Sequence, residues 1–453
     1  MNPRSLALLV ALAGFMELFD GTVIQTALPA MGRDLGVSAT TASVAMAAYF
    51  AAAAGAIPIC AWLTDRVGAR VAFTGAIAVF VLASLWCGSS VDLTWLVFGR
   101  IVQGVGGAVM MTVGQIVILR DAPKDRLLNI TAYLVWPALA APVIAPVIGG
   151  LITQTFGWRW LFWINLPLGV LAVIASLRLT PGKRDGHEPR PLDLAGAILL
   201  AVGLCISIPG LAMVEYGAAP ARITAIVVGG LSLVAAVIWL LRHKNPLLDL
   251  HAYRFETFRA GNGAGAIYRA VVASVPVLLT LLFQLAYGWS AVNAGLLVMV
   301  LFFGNLSIKP FANYSIRRWG YRLVVVAATL LGAAALVILS FVRESTSLWL
   351  VVPILYLSGA ARSVGFTSYM TMQYLEIPKA EMASANPLSN TVHQVATALG
   401  IAGSVGLVST LGALGLQQLA AYQITFAVIG VVLAVTALWA RLGLRQFGKL
   451  SQK

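Results

Sequence analysis

Charged residues are scarce in this 453-residue sequence. Asp, Glu, Lys and Arg make up 10% of it, hydrophobic residues make up 60%, and the mean hydropathy is +0.90. Soluble globular chains carry about 25% charged residues, so this composition excludes the soluble classes. Acidic residues are the scarcer kind, with 16 Asp and Glu against 30 Lys and Arg and a formal net charge of +14. Such a charge would suggest a nucleic-acid binder, but the sequence has too little polar length for a soluble basic domain, and we expect no nucleic-acid partner.

Cysteine is also rare. The three cysteines stand singly in apolar segments, so the sequence indicates neither a disulfide framework nor a metal site. The HExxH, GxSxG and P-loop motifs are absent, which argues against a metalloprotease, a serine hydrolase and an ATP-driven pump. We therefore expect a chain that is not an enzyme and that uses no metal or other cofactor.

Long apolar runs fill most of the chain. Because hydrocarbon offers the backbone no hydrogen-bond partner, a membrane-spanning helix needs about 20 mostly apolar residues. The sequence therefore predicts an all-α polytopic membrane protein with 14 transmembrane helices. The predicted limits are 5–30, 41–63, 71–90, 95–119, 129–153, 161–178, 192–212, 222–241, 261–285, 293–313, 323–342, 347–370, 383–411 and 420–440.

Basic residues are distributed unequally between the predicted loops. Of the 30 Lys and Arg residues, 22 lie in alternate polar segments that include both termini, and 4 lie in the segments between them. Because short cytoplasmic loops retain Lys and Arg, we predict a cell-membrane protein with both termini in the cytoplasm. Most of the net positive charge is then a consequence of topology.

Two polar stretches divide the chain into three parts. Residues 1–180 are predicted to form an N-terminal six-helix bundle, residues 181–245 a linker and an inserted helix pair, and residues 246–453 a C-terminal six-helix bundle with a short cytoplasmic tail. An internal repeat supports this division, because residues 63–70 align with residues 315–322. Parallel halves around a site at the membrane midplane are typical of secondary transporters.

Five segments, in order along the chain, resemble those of a known family. The chain is similar to the fourteen-helix drug:proton antiporter branch of the major facilitator superfamily, and within that branch to the MdtD subgroup. Four positions in these segments depart from the branch's usual residues. Gln25 stands where Asn is usual, Ala61 stands where Gly is usual, and Ala stands at two positions of 141–150 where Gly is expected. The segments that carry the resemblance are 19–29, 62–70, 100–106, 141–150 and 157–167.

This resemblance implies a proton-coupled efflux antiporter. It implies two six-helix bundles with an inserted helix pair, alternating access, export of small molecules of the multidrug type, and the proton gradient as the only driving force. The expected partners are a small-molecule substrate, protons and the lipid bilayer, and the expected state is monomeric. It also implies an antiporter motif in helix 5, made of Pro142, Pro146, Gly149 and Gly150, and a cytoplasmic latch motif, made of Asp65, Arg66, Gly68, Arg70 and Asp121.

Two carboxylates in the first predicted helix point to proton coupling. Glu17 and Asp20 stand three residues apart and share one helix face, and a carboxylate in hydrocarbon is a functional candidate by default. Arg100 in helix 4 is the candidate partner for one of them. The family resemblance implies Asp20 as the coupling acid, with Glu17 as a second acid. The alternative is a static buried ion pair that only fixes helix packing.

Three bases in the predicted spans of the C-terminal half bear on the substrate. Arg269, Lys309 and Arg362 lie on helices that should surround one cavity, and unpaired cations there would repel one another, so an anionic ligand would be stabilised. This favours a second reading, export of an organic anion such as a di- or tricarboxylate. In the competing view, Lys309 snorkels toward the cytoplasmic end of its span and the arginines bond backbone carbonyls.

Three further residues are candidates for the same cavity. Gln103 lies in the fourth span and Trp136 in the fifth, where it either lines the cavity or packs elsewhere. His393 titrates near neutral pH if it is exposed, and a buried, hydrogen-bonded histidine is the alternative. A remote third possibility for the whole chain is a membrane sensor or enzyme without transport, against which the internal repeat argues.

Overall fold

Two compact units make up the structure, a computed structural model. Residues 3–121, 127–180, 182, 191–212 and 219–443 are described, with side chains described within 5–118, 139–180, 191–211 and 220–441. Every secondary-structure element in these ranges is a helix, so the prediction of an all-α chain is confirmed. Contacts divide the chain into the units Met1–Leu248 and Asp249–Lys453. The finer three-part division of the sequence stays a prediction.

The first unit contains the helices α1 to α8. Two of them are interrupted by short 3-10 turns, at Ile24–Ala27 in α1 and at Ile57–Ile59 in α2. The bounds are α1 Ser5–Asp34, α2 Ala39–Val67, α3 Ala69–Gly88, α4 Leu93–Asp121, α5 Leu127–Thr155, α6 Trp160–Leu179, α7 Leu194–Ala212 and α8 Ala219–Arg242.

The second unit contains the helices α9 to α14. A 3-10 helix at Leu250–Arg254 precedes α9, and a π-helical turn at Leu282–Ala286 extends it. The bounds are α9 Glu256–Leu281, α10 Ala291–Ser307, α11 Lys309–Leu339, α12 Leu348–Met372, α13 Met382–Ala413 and α14 Gln418–Gly443.

Most of these helices have the length and apolar character of membrane spans. In the described ranges, twelve helical segments are long and apolar enough to cross a membrane. Two further apolar segments, Leu139–Thr155 and Ala291–Ser307, are shorter. The chain is a multi-pass membrane protein, and the number of fourteen spans stays a prediction.

The helices of the two units pair in one pattern. In the first unit α1 packs on α5, α2 packs on α4, and α3 packs on both α4 and α6. In the second unit α9 packs on α13, α10 packs on α12, and α11 packs on both α12 and α14. Each helix of one set therefore corresponds to the helix eight places later in the other, and α7 and α8 are the additional pair.

Glycines allow the closest helix contacts at corresponding crossings. A Cβ on Gly104 of α4 would lie 2.3 Å from the Tyr49 carbonyl oxygen of α2, and a Cβ on Gly359 of α12 would lie 1.9 Å from the Leu301 carbonyl oxygen of α10. No side chain fits at either point. Helices in a membrane associate through such close packing of small residues, so the two units use the same device at the same crossing.

Each half of the sequence repeat contains a glycine in a backbone conformation that other residues rarely adopt. Gly68 between α2 and α3 has φ 86° and ψ 153°, and Gly320 inside α11 has φ 77° and ψ 160°. Only glycine enters this region without strain. The two aligned glycines therefore make the same turn in their respective units.

Two bends mark the chain around the tenth and eleventh predicted spans. The sequence analysis placed one span at 293–313 and the next at 323–342. In the structure α10 ends at Ser307, α11 begins at Lys309, and the backbone of α11 leaves the helical conformation at Gly320. Pro310 accounts for the first bend, because a proline has no N–H to donate and kinks a helix. The turn at Gly320 lies between the two predicted limits 313 and 323.

Asp193 fastens the helix pair α7–α8 at one end. Its Oδ1 accepts hydrogen bonds from the Gly196 backbone N–H at 2.9 Å and from the Trp239 indole N–H at 2.8 Å, and its Oδ2 accepts one from the Leu247 N–H at 3.1 Å. Burial of the carboxylate raises its pKa, but the donors together hold the pKa below the ordinary value of 3.8. The carboxylate thus ties the start of α7 to α8 and to the segment that follows it.

Close packing joins this pair to the rest of the first unit. A Cβ on Gly55 of α2 would lie 3.2 Å from Ala201 Cα of α7, and a Cβ on Gly229 of α8 would lie 2.6 Å from the Ser207 nitrogen of α7. The pair α7–α8 is therefore attached to the first unit through α2.

We predict that Gly68→Ala and Gly320→Ala each destabilise the protein by about 1–3 kcal/mol, because a Cβ is strained in this backbone region. The measurement is the midpoint of thermal unfolding in detergent. Gly75→Ala is the control, since a Cβ there would meet no atom within 4 Å and alanine favours the helix. Equal midpoints for all three variants would contradict the assignment.

We also predict that Asp193→Ala destabilises the protein by about 1–3 kcal/mol, because it leaves the partly buried N–H groups of Trp239 and Leu247 without their acceptor. Since the folded-state pKa lies below 3.8, the stabilisation is present above that pH and is lost as pH falls through the folded-state value. Trp239→Phe removes one donor only and should have the smaller effect. Unfolding midpoints measured as a function of pH test both statements.

Candidate functional site

A buried ion pair joins α1 to α4. Asp20 lies in α1 and Arg100 in α4, and neither side chain is exposed. Arg100 Nη1 donates a hydrogen bond to Asp20 Oδ2. Because a charge in hydrocarbon is costly unless it is paired, each group makes burial of the other possible. Of the two α1 carboxylates, Asp20 is the one that the structure pairs with Arg100.

Amide groups complete the surroundings of Asp20. Its Oδ1 accepts hydrogen bonds from Gln103 Nε2 at 2.9 Å and from Asn165 Nδ2 at 3.0 Å. The same amides donate to Ser84 Oγ, at 2.8 Å and 3.3 Å respectively. Both oxygens of the carboxylate are therefore hydrogen-bonded, and the network links α1, α3, α4 and α6.

The guanidinium of Arg100 has partners besides Asp20. Its Nε donates to the Ala45 carbonyl oxygen of α2 at 3.3 Å, and its Nη1 also donates to Gln103 Oε1 at 2.7 Å. Its Cζ lies 4.1 Å from the centroid of the Tyr49 ring, which is a cation–π distance. These contacts do not depend on the charge of Asp20. They hold the arginine in place independently of that carboxylate.

The second carboxylate of α1 lies one helical turn away. Glu17 is 8% exposed and borders α4 at Gly107, where a Cβ would lie 3.4 Å from Glu17 Cγ and 2.6 Å from the Tyr49 hydroxyl oxygen. Glu17 and the Tyr49 hydroxyl thus border one point between α1, α2 and α4.

The antiporter motif of the sequence lies where α5 crosses α1. A Cβ on Gly149 would lie 2.8 Å from the Val23 carbonyl oxygen of α1, so only glycine allows this approach. Pro142 and Pro146 stand two turns and one turn before it, and Pro146 and Gly150 are buried. The motif sets the spacing between α1 and α5, and its role in transport stays a prediction.

The motif between α2 and α3 acts inside the first unit through Arg70. Arg70 Nε donates a hydrogen bond to the Thr180 carbonyl oxygen at 2.7 Å and so satisfies an acceptor at the end of α6. Asp65 and Arg66 are exposed. The side chain of Asp121 lies outside the described residues, and the latch between bundles stays a prediction.

The segment before α6 is anchored to the ends of α1 and α3. Arg159 forms an ion pair with Asp34 and donates from Nη2 to the Ser90 carbonyl oxygen at 3.0 Å. Trp158 Nε1 donates to Asp34 Oδ2 at 3.0 Å. Partly exposed ion pairs add little stability, so the effect is mainly one of position. It fixes the start of the helix from which Asn165 reaches Asp20.

The intramembrane arginines of the second unit have different surroundings. Arg269 of α9 donates from Nε to Thr397 Oγ1 of α13 at 3.1 Å, and its Cζ lies 4.7 Å from the Phe366 ring centroid. Arg269 is therefore hydrogen-bonded to a neutral hydroxyl on a neighbouring helix, and its place in a substrate cavity stays a prediction. Arg362 of α12 has its Cζ 5.1 Å from the Phe302 ring centroid, and its buried Nη1 has no hydrogen-bond partner among the described residues.

Arg269 acts electrostatically on two other basic groups of this unit, Arg362 and His393. His393 is 5% exposed and lies one turn before Thr397, whose hydroxyl donates to the His393 carbonyl oxygen at 2.9 Å. The two arginines are half-buried. The second unit thus holds two arginines and a buried histidine within its helices.

Lys309 and Trp136 are the two other predicted cavity residues of the sequence analysis. Lys309 begins α11 and is half-buried. Trp136 belongs to α5, but its side chain lies outside the described residues.

The helices of the second unit contain almost no acid to balance these bases. The sequence of α9 to α14 includes one carboxylate, that of Glu256, and it is the first residue of α9. In the first unit, by contrast, α1 carries both Glu17 and Asp20. Buried charge is therefore paired inside the first unit, whereas the second unit has an excess of positive charge.

Comparison with known proteins identifies the family. The model described as Major Facilitator Superfamily matches residues 10–400 and, in a second match, residues 261–449. The chain belongs to the major facilitator superfamily. The resemblance seen in the sequence motifs is confirmed, and this major facilitator chain is a membrane transporter.

Individual relatives cover nearly the whole chain. The putative multidrug resistance protein MdtD of Cronobacter sakazakii is 34% identical over 426 residues, which are 93% of this major facilitator chain and 88% of the relative. The probable transport protein HsrA of Haemophilus influenzae is 32% identical, over 88% of this chain and 86% of the relative. A crystal structure of a POT family transporter with 5-aminolevulinic acid has the same fold, with a TM-score of 0.74 at 16% identity, and the match covers 100% of this chain and 97% of that one.

Sequence reasoning missed several partners of the named residues. Asn165 and Ser84 hold the Asp20 network, and Thr397 accepts from Arg269. Asn165 had a usable signal, because an amide inside an apolar span needs a partner. Ser84 and Thr397 had none, because hydroxyls in helices usually bond to a carbonyl of their own helix.

We predict that Asp20→Asn and Arg100→Gln each destabilise the protein by about 3–5 kcal/mol, because each leaves a buried charge unpaired. The double variant should be less destabilised than the sum of the two. A double-mutant cycle on unfolding midpoints measures the coupling.

The exposed pair Asp34 and Arg159 provides the control for this cycle. Its coupling should stay within about 1 kcal/mol. Additive effects for Asp20 and Arg100 would show that the two side chains do not depend on each other.

Proposed function

We propose that the protein is a proton-coupled antiporter that exports small molecules from the cytoplasm by alternating access. The observation that carries this proposal is the buried ion pair of Asp20 and Arg100, because its carboxylate can bind and release a proton inside a membrane helix. The MdtD relatives, named as putative multidrug resistance proteins, support lipophilic drugs as the first substrate class. The proposed protein is a monomer of fourteen spans in the cell membrane, with both termini in the cytoplasm.

The network around Asp20 suggests how a proton would act. A proton on the carboxylate removes the charge that Arg100 compensates, so the link between α1 and α4 weakens. Gln103 and Asn165 bond to the same carboxylate, so α6 is released as well. Neutralisation of one group would thus loosen several helix contacts of the first unit at once.

The energies involved limit this mechanism. An unpaired buried charge costs about 3–5 kcal/mol, whereas a membrane potential supplies about 2.3 kcal/mol per charge for each 100 mV. The electrical term alone therefore falls short. The contacts that Arg100 keeps with Ala45 and Gln103, together with substrate binding and the pH gradient, would have to supply the difference.

A second substrate class is an organic anion such as a di- or tricarboxylate. The observation that favours it is the presence of two arginines, Arg269 and Arg362, in a unit whose helices contain one terminal carboxylate. A cationic drug would be repelled there, whereas an anion would relieve the repulsion between the bases.

Proteoliposomes with an internal pH-sensitive dye test proton coupling. We predict that wild type moves protons when a substrate is added, that Asp20→Asn loses this proton movement but keeps exchange of substrate for substrate, and that Asp20→Glu restores part of it. Arg343→Gln, in an exposed loop, is the control. If Asp20→Asn still moves protons with its substrate, the proposed coupling site fails.

Counterflow with two probes separates the substrate classes. Tetraphenylphosphonium serves as the lipophilic cation and citrate as the tricarboxylate, each with wild type and Arg362→Ala. Carriage of the cation that is unaffected in Arg362→Ala excludes the anion reading, whereas carriage of citrate that is lost in Arg362→Ala excludes the drug reading. If neither probe nor any proton is moved, the transporter proposal itself is weakened.

A further inference from the structure

A cavity opens inside the second unit beside Arg362. It measures about 300 Å³ with its open side included, and it lies among α9, α10, α11, α12 and α14. Most of its lining is apolar, and the polar side chains are Arg362, Ser358 and Tyr268. The apolar part includes Val271, Val275, Leu301 and Leu336.

Two hydrogen-bond donors on α12 share this cavity. Ser358 and Arg362 stand four residues apart, so they occupy one face of the helix, and both line the space. Arg362 Nη1 is buried and has no hydrogen-bond partner among the described residues. A buried guanidinium N–H without an acceptor is costly, so the site is stabilised by any acceptor that fits.

The third polar neighbour does not accept from Arg362 Nη1 in the structure. The Tyr268 hydroxyl donates to the Ala361 carbonyl oxygen at 3.0 Å and also contacts the Arg362 carbonyl oxygen at 3.3 Å. It orients the backbone of α12 at this point. It leaves the guanidinium itself to another partner.

The charge around the cavity favours an anion. Arg269 acts on Arg362 as a like charge, and the helices of this unit contain no carboxylate except that of Glu256 at the start of α9. A neutral acceptor would satisfy one N–H but would not compensate the charge. A monovalent anion does both.

We propose that this cavity is a binding site for a small monovalent anion, held by the guanidinium of Arg362 and the hydroxyl of Ser358. Removing a monovalent anion from water costs less than removing a divalent one, so the apolar walls favour a halide or a single carboxylate group. Two sources have this chemistry, namely free chloride and a carboxylate carried on the exported substrate.

The site deepens the proposed function, because it supplies one place for the charged group of an anionic substrate. Binding can be measured without transport and without a proton gradient. A negative binding result therefore leaves the coupling role of Asp20 untouched, and a protein that fails to move protons can still bind the anion.

Thermal unfolding of the detergent-solubilised full chain tests the proposal. Sodium chloride, sodium acetate and sodium gluconate are compared at one ionic strength. Gluconate is the reference because its bulky polyhydroxylated chain does not suit the apolar walls, although it carries a carboxylate. We expect chloride or acetate to raise the unfolding midpoint of wild type by about 3 °C relative to gluconate. Arg362→Gln should abolish this rise, Ser358→Ala should reduce it, and Arg343→Gln should keep it.

Each outcome decides between the alternatives. A rise with chloride alone identifies a free halide as the ligand, and a rise with acetate alone identifies a carboxylate. The proposal is overturned if wild type shows no rise with either anion, or if Arg362→Gln shows the same rise as wild type. Ser358→Ala keeps the buried charge and removes one hydroxyl, so it remains informative if Arg362→Gln does not fold.

Discussion

A charge buried in a membrane protein needs a partner within the protein, because hydrocarbon supplies none. Asp20 and Arg100 meet this constraint by pairing with each other. The pair fixes α1 against α4, and the amides of Gln103 and Asn165 extend it to α3 and α6. The hydrogen-bond network of a single carboxylate thus links α1, α3, α4 and α6. Any change of its charge is felt by several helices at once, which is the property that a coupling group needs.

The two units share their packing but not their electrostatics. Corresponding helices pair in the same pattern, Gly104 and Gly359 allow the same close crossings, and Gly68 and Gly320 make the same turn. Backbone packing depends on small residues, and the repeat preserves these. Charge does not follow the repeat, because the acids are in the first unit and the second unit holds bases.

The sequence alone predicted the helical class, the family and the internal repeat that aligns Gly68 with Gly320, because each depends on local pattern. It also named Arg100 as a candidate partner of an α1 acid. It did not predict the bend near Lys309, because hydropathy stays high across Pro310. It missed Thr397, since a hydroxyl that accepts from Arg269 looks in sequence like any hydroxyl that bonds to its own helix.

The almost acid-free interior of the second unit has a consequence for how such a transporter can change. If the proton binds in α1 and the charge of the substrate is bound by Arg362 and its neighbours, then different parts of the polypeptide bind the driving ion and the substrate. Substitutions in α9 to α14 can then alter substrate specificity without changing the carboxylate that binds the coupling proton. Transporters with the same proton-binding carboxylate can therefore differ in the substrate that they transport.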